Sequence, residues 1–239
     1  MHKTRNRLSI LLVALLPQAV MAGQDPGNFF AIKTSIGDVT MDNVSHDNTI
    51  GTGLIIGNDV DGQLKQTTLD DYTAGIGLTF GRRLGFWTVE GELVWRYRTD
   101  WDLVAPTPSI ATITNIFSNV ETTTLMFNFL RRKTIGKNWS LEAGVGIGFV
   151  HNTIEARYIE RASSISPELS FKDDTQETDF SYNVFVGLVR PINHSWSVNI
   201  RYRYIDLGEL KAGPFPERQG LIKGDHTSNE LQLSFERAF

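Results

Sequence analysis

Thr227 to Phe239 alternate apolar and polar residues without a break to the end of the chain. Thr227, Asn229, Leu231, Leu233, Phe235, Arg237 and Phe239 share one parity, and Ser228, Glu230, Gln232, Ser234 and Glu236 share the other. A side-chain period of two is that of a β-strand, so this segment has an oily side and a wet side. Chain ends in water are usually polar and frayed. An end that carries its most apolar face to the last residue is expected to be a paired strand.

The opposite end carries an export pattern. Lys3, Arg5 and Arg7 form a basic head, Leu8 to Leu16 an apolar body, and Val20-Met21-Ala22 a small-residue cleavage site. The expected division is a signal peptide over 1–22 and one domain over 23–239. A spanning helix fits less well, because Pro17 and Gln18 interrupt a stretch already too short to cross. The chain has no cysteine, which excludes a lipoprotein anchor, disulfides and thiolate metal sites. Removing 1–22 takes away three basic groups and no acids, so 20 basic residues face 27 acidic ones, a net charge of −7. Such a balance argues against nucleic-acid binding.

Seven further segments alternate over roughly the 9–11 residues that a tilted strand needs to cross a bilayer. The face Trp87, Val89, Gly91, Leu93, Trp95 and Tyr97 opposes Thr88, Glu90, Glu92, Val94, Arg96 and Arg98. Similar pairs of faces run from Tyr72 to Gly81, Thr123 to Leu130, Trp139 to Phe149, Phe180 to Leu188 and Trp196 to Ile205. In the first segment Phe30, Ile32, Thr34 and Ile36 share a face while Val39 and Met41 have the opposite parity, which predicts a bulge near Gly37-Asp38. The total is eight strands, an even number as bacterial barrels require.

The connectors alternate in length. Short links at 82–85, 131–138 and 191–195 separate long ones at 44–69, 100–119, 152–177 and 207–226. Short periplasmic turns and longer outer loops fit a membrane barrel with both termini in the periplasm. Trp87, Trp139 and Trp196 each follow a short turn, and with Phe239 they are the expected interfacial aromatics. A soluble barrel would show the same alternation with its oily face inward. Mixed charges on the opposing face, export and the tryptophan placement favour the membrane form.

With Arg201-Tyr202-Arg203-Tyr204-Ile205-Asp206-Leu207-Gly208 and the closing Glu230 to Phe239, the chain resembles the small eight-stranded outer-membrane proteins of the OmpA-like, OmpX-like and Opa-like type. The resemblance implies an all-β, antiparallel up-and-down transmembrane barrel in a Gram-negative outer membrane. It also implies lipid contact, recognition of the last strand by the barrel assembly machinery, and a monomer. Glu236-Arg237-Ala238 is less apolar than the same stretch in similar barrels.

An eight-stranded barrel is just wide enough for side chains to fill it, so interior charges must pair. The expected network is Glu90, Glu92, Glu142, Glu230 and Glu236 with Arg96, Arg98, Arg201 and Arg203, plugging the lumen. A narrow porin-like channel is the rival. A lipid A-modifying enzyme is another, since some similar barrels act on lipid A, but such chemistry needs a nucleophile and base at the outer rim. His194-Ser195 lies in a periplasmic turn, while His151, His226 and His46-Asp47 lack metal spacing. No catalytic residue, cofactor or metal is assigned. Dispersed carboxylates Asp47, Asp59, Asp61, Asp70 and Asp71 in the first loop do not form a calcium pattern.

Loops on rigid scaffolds carry binding. In the second loop Ile110, Ile113, Phe117 and Val120 recur at helical spacing after Pro108-Ser109, which predicts a short helix, either packed on the barrel mouth or on lipid or offering an apolar contact patch to a host or neighbouring cell-surface protein. The functional expectation is a structural and surface-interactive, adhesin-like protein.

Overall fold

The computed structural model describes residues 27–47, 68–84, 87–107, 112–136, 138–161, 169–213 and 221–239. The export segment lies outside these residues, as do Asp59, Asp61, Ile110 and Pro108-Ser109. Eight strands follow in order: β1 Asn28–Asp47, β2 Leu69–Leu84, β3 Trp87–Thr107, β4 Thr112–Thr134, β5 Ser140–Arg161, β6 Leu169–Pro191, β7 Trp196–Ala212 and β8 Leu221–Ala238. Each pairs antiparallel with its neighbours, and β8 returns to β1, closing the barrel. Closure leaves no backbone edge around the lower wall, which is what allows strands to stand in hydrocarbon.

The oily parity faces outward. Ile32, Ile76, Phe80, Phe127, Val145, Ile147, Val184, Ile200, Leu233 and Phe235 are all exposed, whereas Glu92, Glu142, Arg203 and Glu230 have essentially no exposure. A soluble barrel requires the reverse. Trp87, Trp139, Trp196 and Phe239 form one rim of the oily band, and Tyr72, Tyr97, Phe149 and Phe180 mark the other. From Trp87 to Tyr97 the strand rises about 34 Å, and at a tilt near 40° this is about 26 Å of height, matching the apolar band of an outer-membrane barrel.

The strands are 16 to 23 residues long, well beyond what that band requires. Three of the connectors expected as long loops are consequently mostly sheet. β3 and β4 pair up to Thr107↔Thr112, β5 and β6 up to Glu160↔Leu169, and β7 and β8 up to Ala212↔Ile222. The expected helix in the second connector is therefore replaced by a hairpin. The β-branched residues Thr112, Ile113, Thr114 and Ile116 suit a strand, and the three-residue spacing of Phe117 and Val120 puts them on opposite faces of it, one exposed and one buried.

Pairing stops lower at two seams on opposite sides of the barrel. β2 and β3 separate above Gly75↔Arg96, and β6 and β7 above Asn183↔Ile205. Side chains stitch both seams where the backbone ladder ends. Asp100 N–H donates to Asp71 Oδ2 (2.8 Å) and Thr73 Oγ1 to the Tyr97 carbonyl (3.2 Å). On the other side Ser181 Oγ donates to the Asp206 carbonyl (2.5 Å), and Asp179 and Asp173 accept from the backbone of Glu209 (3.2 Å) and Gly213 (2.9 Å). Gly208, at φ +78°, permits the turn of β7 beside Asp179.

Two expectations on register are corrected. β1 pairs without interruption through Gly37 and Asp38, and the shift falls between Asp42 and Ser45, where Asn43 takes φ 53°. Val39 and Met41 keep the inward parity because the half of the lumen farther from the tryptophan rim is itself apolar. A second shift between Arg96 and Thr99 turns the following side chain outward.

Candidate functional site

Two tiers fill the lumen. The tier nearer the tryptophan rim is ionic, and the tier above it is a cluster of buried apolar side chains including Val39, Met41, Trp101, Val120, Ile154, Leu207, Leu210 and Ile222. The ionic tier exists because β-alternation commits one parity of every strand to the interior and that parity is polar in the lower half of the wall.

At the floor, Arg132 Nη2 stands 3.0 Å from Glu142 and 3.2 Å from Glu236, and Arg83 pairs with Glu236 as well. One step up, Arg201 bridges Glu142 (Nη2, 2.9 Å) and Glu90 (Nη1, 2.7 Å), with its guanidinium 4.0 Å above the Phe185 ring. Asn199 Nδ2 donates to Glu142 (2.5 Å), Asn128 Nδ2 to Glu90 (3.1 Å), and Asn183 Nδ2 to Asn128 (3.0 Å). At the top, Arg203 lies between Glu92 and Glu230, its Nη2 2.5 Å from the latter. Lys33 pairs with Glu92, and Arg96 with Glu230 through Nε at 2.5 Å. The planar fork of arginine lets a single side chain serve two carboxylates across the barrel.

The structure brings together Glu90, Glu92, Arg96, Glu142, Arg201, Arg203, Glu230 and Glu236. Arg98 is placed elsewhere. The shift after Arg96 carries it to the outside, half-exposed, 3.8 Å from Asp100 and 3.7 Å from Glu155. Lys33, Arg83 and Arg132 are members that the sequence reading missed. The parity of β1, opposite to Ile32 and Ile36, was a usable signal for Lys33. Arg83 and Arg132 sit where turns were expected, and only the true strand lengths place them inside.

A vestibule of about 940 Å³ lies at the tryptophan rim, lined by Arg83, Arg132, Lys133 and His194. The cavity in the apolar tier, between Met41, Leu69, Trp101, Leu210 and Ile222, measures about 20 Å³; a single water needs about 10–15 Å³. Trp101 Nε1 and both ring nitrogens of His226 are buried there without a hydrogen-bond partner, the two rings meeting edge to face at 6.0 Å.

Among the described side chains two further histidines lie apart from each other. His151 Nδ1 shares a hydrogen bond with Thr178 Oγ1 (2.9 Å) at the outer surface, and His194 lies exposed in the turn between β6 and β7. Trp87, Trp139, Trp196 and Phe239 lie on the lipid-facing parity at one rim. Of the proposed contact patch, Phe117 is exposed on β4, Ile113 falls within the same strand, and Ile110 lies outside the described residues.

A closed eight-stranded wall with an oily exterior and an ionic interior defines an integral outer-membrane barrel protein. The chain belongs to the outer membrane protein beta-barrel domain family, whose model matches residues 8–239. Its fold is similar to that of the outer membrane protein AlkL in DMPC bilayers, at 18% identity over 92% of this chain and 94% of that one, with a TM-score of 0.52. OprG from Pseudomonas aeruginosa is 17% identical over 91% and 98% of the two chains, TM-score 0.46. Ail, the attachment invasion locus protein of Yersinia pestis, is 12% identical over 90% and 99%, TM-score 0.40. No curated protein matches the chain.

Proposed function

We propose that the protein is a closed, non-conducting, non-enzymatic barrel that works at the cell surface through the tall sheet above the membrane. The observation that carries this reading is the continuation of β3, β4, β5 and β6 as one paired sheet beyond the seams. A lumen closed by charge pairs below and apolar packing above leaves the outer sheet as the surface available for recognition. Among the described residues the two outer margins of that sheet, on β3 and β6, are not paired in a backbone ladder with β2 and β7 above the seams. Such margins pair readily with an extended segment of another protein. A protein on a host or neighbouring cell is the partner this surface fits.

Removing residues 102–117 and rejoining Trp101 to Ser118 through Asn-Gly preserves the register of the wall, because Trp101 pairs with Ser118. Cells carrying this variant are expected to lose about tenfold or more in binding to host-cell and matrix proteins, the equivalent of about 1.4 kcal/mol. Equal binding by both forms would remove the sheet from that role. Purified wild-type barrel is expected to give no steady conductance steps in planar bilayers; reproducible steps would establish the channel instead.

Orientation is tested by labelling. The chain has no cysteine, so Asp174→Cys on the outer part of β6 and Ser195→Cys in the opposite turn give unique targets. With both termini periplasmic, an impermeant maleimide on intact cells labels the first and spares the second. The reverse pattern would overturn the assigned direction.

A further inference from the structure

The tryptophan rim repeats one cross-strand arrangement three times. Trp87 faces Arg131 across β3 and β4, and Trp196 faces Arg237 across β7 and β8. Trp139 stands beside Arg190, one step beyond the Ser140↔Val189 pair. In each case the guanidinium carbon sits over the indole, at 5.8, 5.6 and 5.4 Å from the ring centroid for Arg131, Arg237 and Arg190. All six side chains share the outward, lipid-facing parity, and the three arginines are exposed. Among the described residues no carboxylate side chain pairs with any of these three guanidiniums, in contrast to Arg83 and Arg132 on the inward parity of the same rim.

We infer that each tryptophan–arginine pair is a binding site for the phosphate headgroup of an anionic glycerophospholipid in the leaflet that meets this rim. Indole rings settle at the headgroup level of a bilayer. Stacking over the ring holds the guanidinium in place without neutralising it and leaves the N–H edge of its plane free. That edge matches two oxygens of a phosphate. The inference goes beyond the proposed surface role and depends on the barrel standing in a membrane, but not on which rim faces the periplasm.

The test uses the full barrel refolded into phosphatidylcholine vesicles containing a small fraction of brominated lipid, with tryptophan quenching as the readout. Brominated phosphatidylglycerol is expected to quench wild-type protein several-fold more effectively than brominated phosphatidylcholine at equal fraction. R131Q/R190Q is expected to lose that preference by about fivefold or more, since each arginine near an anionic surface contributes about a fivefold factor. R82Q/K133Q removes two other exposed basic groups from the rim and is expected to keep it. Heat-modifiable gel migration verifies that every variant is folded, and R131K/R190K retains the charges without the fork. Equal quenching by both lipids in the wild type overturns the inference, as does equal loss in both glutamine variants or full preference in the lysine variant. Cysteine labelling on cells decides orientation separately, so the two conclusions can fail independently.

Discussion

Replacing Arg203 with methionine is expected to lower the stability of the refolded barrel by about 3–5 kcal/mol, the cost of leaving buried charges without their partner. Arg203 has no exposure and lies between Glu92 and Glu230, which are equally enclosed. Methionine approximates its volume, so the loss reports charge more than cavity. Lys33 and Arg96 still face these carboxylates, which keeps the cost below that of isolating both. Urea unfolding in vesicles measures the effect. The double variant R203M/E230Q also takes from Arg96 its carboxylate and is expected to be no more stable than R203M, its combined loss falling below the sum of the two single losses because Arg203 and Glu230 pair. A single variant that unfolds at the wild-type urea concentration would show that the network fills the lumen without stabilising it.

The second large effect is expected at Gly148, on the inward face of β5. A Cβ there meets the Leu125 carbonyl oxygen and lies 2.8 Å from both Met126 Cα and Sδ. Methionine sulfur can move, but the β4 backbone cannot yield without breaking the ladder in which Gly148 pairs with Met126. Overpacking of a tight core costs about 1–3 kcal/mol and sometimes more, so Gly148→Val is expected to destabilise by about 3 kcal/mol or to prevent closure. Gly27→Ala is the matching control, since its added carbon meets nothing within 4 Å, and exposed substitutions of this kind fall within about 0.5 kcal/mol. Folded fraction on unheated gels, followed by urea titration of whatever folds, separates the two. A Gly148→Val barrel as stable as Gly27→Ala would mean that β4 and β5 can shift apart at no cost.

Several residues of the ionic tier share a parity in the sequence. Glu90 and Glu92 share a parity with Arg96, and Arg201 with Arg203, so a single rule of alternation brings these groups to the same side of the wall. Alternation fails where a residue is inserted. Arg98 obeys the same parity in the sequence, yet the shift after Arg96 sends it to the surface near Asp100 and Glu155. Val39 and Met41 show the converse error. Their change from polar to apolar looked like a change of face, whereas the face is constant and the lumen changes character along its height. The expected short helix failed for a related reason: an i, i+3 recurrence in a short oily stretch fits a helix or a strand, and the pairing of β3 with β4 and of β4 with β5 decides between them.

The residue order alone determined that across the membrane band one face of every strand is oily and the other more polar, and that the strands number eight. These follow from a period of two, which is local. It could not say which way the sheet curls, and so whether the oily face looks outward, nor how far each ladder runs before a seam opens. Those depend on closure of β8 onto β1 and on partners more than a hundred residues apart, such as Arg203 with Glu92. Only once the cylinder is closed do Lys33 and Arg132 find their carboxylates, because the geometry that joins them belongs to the whole wall and to no single strand.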